Sequence, residues 1–365
     1  MHLTHLKTVR ISVSLERCWW AMIVKIVLAG YGGIGRALVM AIRRHRVEIK
    51  KRYGLEFDLM GVADSSGAAL SQNGLDLGLL EDVKAKTGRV SDYPKFGREG
   101  ASVSDLLEET DAEILFDASS SDIHSGEPGL SNMMHGLSRD MHIVTTNKAA
   151  LAKGYRCLSK KAKEMHVALK FRGCACTTIP CFDVDIYQSL GLGICGIEAI
   201  VNATSNYVLS RMSDGASRHE AIREAQDQGI AERDPALDLD GWDTACKMVI
   251  LANWLLNGDF ALEDVEVRGI SNLTVEEIML ARQKGLVYRN VGEITRDNAR
   301  INLRSYPKIM TINEPLALVR NLQKAILFHT EIGDVFIRTE HAGALPSAYA
   351  LLQDAIEIVG ERNDR

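Results

Sequence analysis

The chain has 365 residues, 46% of them hydrophobic and 25% charged, with a formal net charge of −5 at pH 7. With a mean hydropathy of −0.05, these values describe an ordinary globular chain and exclude a disordered or membrane-embedded one. A chain this long buries a large core and reads as two domains, while the acidic balance leaves no global basic field for a nucleic-acid backbone.

Residues 1–21 hold basic groups but no apolar run followed by a small-residue cleavage site. They read as an N-terminal extension, unstructured or preceding the start that cells use. Ile23–Ala29 is then a β-rich apolar strand, Gly30–Gly35 a glycine turn, and Arg36 opens an amphipathic helix. The basic run Arg43–Arg52 reads as a solvated helix face followed by a loop. Further strands are expected at Phe57–Ala63, Ile114–Ala118 and His142–Thr145, separated by helical stretches. That alternation predicts an α/β fold with a parallel, doubly wound sheet. Past about residue 150 the pattern mixes Gly196–Asn202, a strand, with an apolar helix at Thr244–Leu256, which reads as an α+β substrate and dimerisation domain. After Pro346 an amphipathic helix, Ser347–Val359, is placed to return to the first domain. The expected boundaries are 22–150, 151–335 and 336–365.

Gly30-Tyr31-Gly32-Gly33-Ile34-Gly35 fits G-x-G-x-x-G between a strand and a helix. In the Rossmann-type arrangement the first glycine permits the tight turn, the second lets backbone approach a pyrophosphate, and the third packs helix on strand. Asp64 ends the next strand, where an acid accepts hydrogen bonds from ribose hydroxyls and repels a 2′-phosphate. No arginine follows directly, which tilts the reading towards NAD over NADP, with Arg89 able to reverse it. Ser119 and Ser120 follow the third strand, where a loop borders the nicotinamide. Lys148, preceded by the N-cap candidate Asn147, stands at the carboxyl end of the fourth strand, where ligands bind in open α/β sheets.

The richest segment is Gly229–Lys247, GIAERDPALDLDGWDTACK. Glu232, Asp234, Asp238, Asp240 and Asp243 precede Lys247, and the last two stand four apart, on one helical face. A lysine among acids serves proton transfer, anchors a substrate, or forms an ordinary ion pair.

Taken in order, GYGGIG, VADS, TTNK at Thr145–Lys148, NATSNYVL at Asn202–Leu209, the acid–lysine segment and HAGALPSAYA at His341–Ala350 resemble the homoserine dehydrogenase family in its short form. The resemblance covers about Met22 to the C-terminus and implies NAD(P)-dependent, reversible oxidation of homoserine to aspartate semialdehyde in threonine and methionine biosynthesis. It implies that Lys247 and Lys148 flank the reacting oxygen, that Asp243 orients Lys247, that Glu232 and Asp238 hold the substrate α-ammonium, and that Thr204 contacts the substrate. Gly30, Gly32, Gly33, Ile34, Gly35, Asp64, Ser119, Ser120, Lys148, Gly343 and Ser347 become the expected cofactor contacts. Two neighbouring ammonium groups are expected to depress each other's proton affinity. A homodimer in the cytoplasm is expected, with no nucleic-acid or membrane partner.

One loop departs from the family pattern. Where the family has a glycine-rich loop with a Glu that helps hold a monovalent cation, Arg172–Pro180 reads RGCACTTIP. The expectation is that the Arg172 guanidinium takes the cation's place. This leaves two alternatives, a related dehydrogenase for another small amino or hydroxy carbonyl acid, and a non-catalytic sensor of dinucleotide and amino acid. Cys174, Cys176 and Cys181 lack an obvious fourth zinc ligand nearby, and no metal site is expected. The seven cysteines, odd in number, fit a reducing compartment.

Overall fold

The computed structural model describes residues 21–175, 177, 179, 181–182, 193–297, 300–340 and 343–363. Expectations resting on residues 1–20, Cys176, Thr178, Pro180 and His341 fall outside these. Among the described residues the first sheet has seven strands in the order β4 (Gly97–Glu99), β3 (Gly67–Leu70), β2 (Leu55–Asp64), β1 (Met22–Ala29), β5 (Ile114–Asp117), β6 (His142–Thr145) and β7 (Leu169–Lys170). Strands β2, β1, β5, β6 and β7 are mutually parallel, so the doubly wound reading holds for them. β3 and β4 extend that sheet as antiparallel strands. The sequence reading passed over both, because Gly-Ala-Ala-Leu and Gly-Arg-Glu carry neither alternation nor β-branched residues.

Helix α1 (Gly33–Tyr53) runs unbroken through the basic stretch and stops at Gly54, whose φ of 68° supplies the left-handed cap. The loop expected within Arg43–Arg52 is therefore helix. Lys50, Lys51 and Arg52 lie in its last turn, where cations oppose the helix dipole. The extra turns also explain why Asp64 falls farther than usual beyond the glycine turn. The chain continues through α2 (Leu77–Thr87), α3 (Val103–Glu108), α4 (Gly129–Ser138) and α5 (Lys148–Glu164).

The second sheet has the order β13 (Gly333–Thr339), β12 (Lys324–Thr330), β8 (Ile194–Ile200), β10 (Leu286–Asp297), β11 (Arg300–Thr311) and β9 (Val265–Val267). Its helices are α6 (Ala203–Ser213), α7 (Arg218–Asp227), the single turn α8 (Ala236–Leu239), α9 (Trp242–Leu255) and α10 (Val275–Gln283). The last helix, α11 (Ala344–Asn363), packs on α1 and buries Ala348, Leu351, Leu352, Ala355 and Ile358 in the cluster that also holds Val24 and Ile26 of β1.

An apolar cluster runs without a break from Val27, Leu115 and Ile143 through Leu151 to Val249 and Ile250 of α9, and on to Ile197 and Phe328 of the second sheet. Each fully buried Val, Leu or Ile contributes about 1.5–3 kcal/mol. Packing of α5 on α9 thereby fixes one sheet against the other and sets the amino end of α5 beside the amino half of α9. That juxtaposition builds the site.

Candidate active site

The turn after β1 has the geometry that its glycines foretell. Gly30 has φ +92°, and a β-carbon there would lie 2.6 Å from the Ala118 carbonyl carbon. At Gly35 a β-carbon would lie 2.1 Å from the Gly30 oxygen, so strand and helix touch through backbone. Gly32 differs, since among the described residues nothing lies within 4 Å of its would-be β-carbon. It caps α1 without a side-chain hydrogen bond, and the first turn carries no acid. Gly33 and Ile34 open onto a cavity, so the free N–H groups there are fitted to an anion such as a dinucleotide pyrophosphate. Ala344, between Gly343 and Ser347, reaches this turn from the other end of the chain. Ser347 Oγ donates to Gly343 O at 3.2 Å, and Ala344 Cβ lies 4.0 Å from the Gly33 position.

Asp64 ends β2 with its Oδ1 accepting from Ser66 N and Oγ, and its Oδ2 stands 2.5 Å from Lys84 Nζ. Although burial pushes this carboxyl up, Lys84 and Ser66 hold it below the usual range. Lys84 also compensates the charge that the sequence reading relied on to repel a 2′-phosphate, so the tilt towards NAD loses its electrostatic basis.

On the other side of β1, Asp117 ends β5 fully buried. Its Oδ1 accepts from Ser119 N at 3.0 Å, from Ser119 Oγ at 2.7 Å and from Asn147 Nδ2 at 3.3 Å. Asn147 also donates to Ser119 O and to Ser121 Oγ, while its Oδ1 accepts from Ala150 N and so caps α5. One polar knot thus ties the loop of Ser119 and Ser120 to the first residue of α5, Lys148. Burial pushes the Asp117 carboxyl up to about 6.

The acid–lysine segment supplies the far wall. Asp243 Oδ2 accepts from Lys247 Nζ at 2.6 Å, and Asp243 Oδ1 lies 3.3 Å from Lys148 Nζ. Lys247 also donates to Val201 O at 2.7 Å, and its side chain is 7% exposed. The exposed helical ion pair weighed above is thereby excluded, because the pair is buried and shared with a second lysine. Asn202 Nδ2 bridges Asp238 Oδ1 at 2.5 Å and Asp243 Oδ2 at 2.8 Å. Thr204 is buried below, with Oγ1 3.3 Å from Ile230 O and a hydrogen bond to Asp238.

The charge logic corrects one expectation. The two lysines do not face each other across empty space, because the Asp243 carboxylate lies between them and each ammonium meets an anion first. Asp243, with burial opposing, pushes the Lys148 ammonium to higher proton affinity rather than lower. Burial acts against ionised Asp243, but Lys247 and Lys148 together hold its carboxyl far below the usual range. Asp238 goes the other way, raised by burial and then by Asp243.

A cavity of about 430 Å³ joins these pieces. Gly33 and Ile34, Ser119 and Ser120, Lys148, and then Glu232, Asp238 and Asp243 all line it. Lys247 and Thr204 sit behind that wall, and Gly30, Gly32, Gly35, Asp64, Gly343 and Ser347 stand outside the lining. Glu232 is exposed, and Asp234, although it lines the cavity, accepts from Ala236 N at 3.1 Å, a loop-shaping contact. The sequence reading missed Asn202, Asp117, Asn147 as an organiser, and Cys246, which lines the cavity. An acid ending the apolar run Ile-Leu-Phe and an Asn at a strand-to-helix junction were the available signals. Nothing in the sequence told that Cys246 faces the cavity.

Arg172, expected to replace a cation, turns to α11. Its backbone N donates to Asp354 Oδ2 at 2.9 Å, and its Nη1 pairs with Asp354 Oδ1 and, at 2.9 Å, with Glu357 Oε2. Burial outweighs that help and pushes Asp354 up to about 6. Cys174 and Cys181 are buried thiols that bond backbone oxygens of Thr145 and Ala175.

Comparison with known proteins gives the family. Residues 30–172 match the family model for the homoserine dehydrogenase NAD-binding domain, and residues 187–356 match the one for homoserine dehydrogenase. A homoserine dehydrogenase of Methanocaldococcus jannaschii is 33% identical over 335 residues, covering 91% of this chain and 98% of that protein. An NAD(+)-dependent homoserine dehydrogenase of Pseudomonas canavaninivorans is also 33% identical, covering 92% of this chain and 96% of its own. Among solved structures, a putative homoserine dehydrogenase from Archaeoglobus fulgidus superposes with a TM-score of 0.80 at 30% identity, over 92% of this chain and 99% of that one. A hyperthermophilic archaeal homoserine dehydrogenase in complex with NADPH gives 0.79 at 28% identity, over 93% and 98%. With its glycine turn, its two lysines about one carboxylate and relatives matched nearly end to end, the chain belongs to the homoserine dehydrogenase family.

Proposed function

We propose that this chain catalyses the reversible, NAD(P)-dependent oxidation of homoserine to aspartate 4-semialdehyde, a step of amino-acid biosynthesis. One observation carries the reading. A single cavity places an anion-ready helix terminus, a lysine held by a carboxylate, and a second, partly buried carboxylate on one reacting volume. When bound, NAD(P) would supply the hydride acceptor for the alcohol carbon and, in the reduced form, the hydride donor to the aldehyde. Gly30–Gly35 and Asp64 would hold the dinucleotide, with Ser119, Ser120, Gly343 and Ser347 at its nicotinamide end. Glu232 and Asp238 would hold the α-ammonium, an anionic contact that such a group demands. Thr204 would complete that subsite from below. Lys148, kept as ammonium by Asp243, is suited to give a proton to the aldehyde oxygen as hydride arrives and to stabilise the developing alkoxide. Lys247 would share this role from behind Asp243, which orients it. The reverse oxidation needs a lysine in its neutral form, so its rate rises with pH.

Of the proposed boundaries at 22–150, 151–335 and 336–365, the first leaves β7 of the first sheet in the second segment and the second cuts β13 of the second sheet, while the return of α11 supports the last segment. A homodimer through the second domain is part of the reading. Free cysteines support a cytoplasmic location, and among the described residues no helix is long and apolar enough to cross a membrane. By pairing with Asp354 and Glu357 of α11, the Arg172 guanidinium would fix this loop internally and make a monovalent cation dispensable, so turnover in buffer free of sodium and potassium should match that in their presence.

The deciding test follows nicotinamide absorbance with homoserine and each cofactor, beside Lys247→Ala. Turnover by the wild type that falls at least about 100-fold in the variant supports the proposal. Cofactor binding without turnover of homoserine, but with turnover of another hydroxy amino acid, points to the related dehydrogenase. Binding with no turnover of any points to the sensor.

A further inference from the structure

Asn202 stands at the junction of β8 and α6, 5% exposed, between two carboxylates to which the reading above gives different tasks. Its Oδ1 accepts from Ser205 N at 2.8 Å and caps α6, which fixes the amide so that both protons of Nδ2 point away from the helix. One goes to Asp238 Oδ1 at 2.5 Å and the other to Asp243 Oδ2 at 2.8 Å. The second oxygen also accepts from Lys247, and its partner Oδ1 faces Lys148. The amide is therefore the link between the carboxylate committed to two lysines and the carboxylate left for a substrate.

The choice of a neutral double donor has a physical reason. Two buried carboxylates side by side raise each other's proton affinity. A lysine or arginine in this position would relieve that repulsion but would also neutralise Asp238 and compete with a substrate ammonium. A hydroxyl donates one proton and satisfies one acid only. An amide satisfies both and leaves Asp238 its charge.

We infer that Asn202 is a positioning residue of the active site, a neutral wedge that sets the ammonium-binding Asp238 in register with the Asp243–lysine group. The inference rests on the proposed role of Asp238, and Asn202 itself touches neither the reacting oxygen nor the hydride. With the wedge in place, the α-ammonium and the alcohol carbon of one small amino acid reach Asp238 and Lys148 together. Without it, Asp238 becomes easier to protonate and loses its fixed distance from Lys148.

The test uses Asn202→Ser and Asn202→Asp, because both side chains cap a helix about as well as asparagine and spare that function. For Asn202→Ser, KM for homoserine should rise about 10–100-fold, the effect of one or two lost hydrogen bonds to a charged group. KM for NAD(P) and the thermal midpoint should stay near wild type. For Asn202→Asp, a third carboxylate should move the acid limb of the kcat/KM profile up by about one pH unit. If the asparagine only caps α6, both variants keep the wild-type KM and pH profile, and the inference is overturned. It is equally overturned if both KM values rise together with a fall in thermal midpoint. A readout independent of turnover is the titration of Asp238 by NMR of carboxyl-labelled aspartate, assigned with Asp238→Asn. An upward move of its midpoint in both variants supports the wedge, and an unchanged midpoint refutes it. That result stands whether or not homoserine proves to be the substrate, whereas absence of turnover in the wild type refutes only the proposed reaction.

Discussion

Replacing Asp243 with asparagine keeps the shape of the site and removes its organising charge. The Asp243 oxygens lie 2.6 Å from Lys247 Nζ and 3.3 Å from Lys148 Nζ. At an effective dielectric of about 20 those separations correspond to gross attractions of about 6 and about 5 kcal/mol. The net loss is smaller, since desolvation already offsets much of it, and removing one partner of a buried pair costs about 3–5 kcal/mol. The Lys148 side chain is 39% exposed, so water screens most of its share, whereas Lys247 at 7% has no such relief. Asp243→Asn should therefore lose about 3 kcal/mol in urea unfolding at pH 7. Its kcat should fall about 100- to 1,000-fold, as expected when acid–base groups lose their orientation. The double variant Asp243→Asn/Lys247→Met removes the stranded charge as well. It should regain most of the stability while staying inactive, which separates folding from catalysis. Stability within about 1 kcal/mol of wild type together with kcat within about threefold would refute this account of the site.

At Gly32 an alanine meets nothing among the described residues, so Gly32→Ala should unfold like wild type but bind NAD(P) at least about 10-fold more weakly, measured by nicotinamide fluorescence. Gly30→Ala, with its positive φ and its 2.6 Å clash, should lower stability as well, and equal behaviour of the two would contradict the assignment of the open space to a ligand. Burial raises the folded pKa of Asp117 to about 6, above the unfolded value of about 4, so the native state binds the extra proton between them. Its contribution is therefore present in acid and lost as pH rises from about 4 to about 6, with a slope of at most about 1.4 kcal/mol per pH unit. Asp117→Asn should flatten that part of the stability–pH curve, and an unchanged slope in urea titrations at several pH values would overturn the cause given.

The sequence by itself determined the parts whose rules are local. Strand, glycine turn and helix in succession require only backbone sterics and periodicity, which is why Ile23–Ala29, the turn at Gly30 and His142–Thr145 could be read in place. Asp243 and Lys247 could likewise be put on one helix face, because four residues make about one turn. Even the departure at Arg172 was legible as a charge reversal. The sequence could not say where that charge would go, since Asp354 lies 182 positions away. Tertiary structure alone decided that Lys148 and Lys247 meet the same carboxylate, which turned an expected mutual depression into a raised proton affinity for Lys148. It also placed Lys84 on Asp64, removing the basis for choosing between cofactors, and Asn202 between Asp238 and Asp243. In each case the deciding quantity is the distance and burial of groups far apart in the chain. Those are set by how α5 packs on α9 and α11 on α1, not by any run of neighbouring residues.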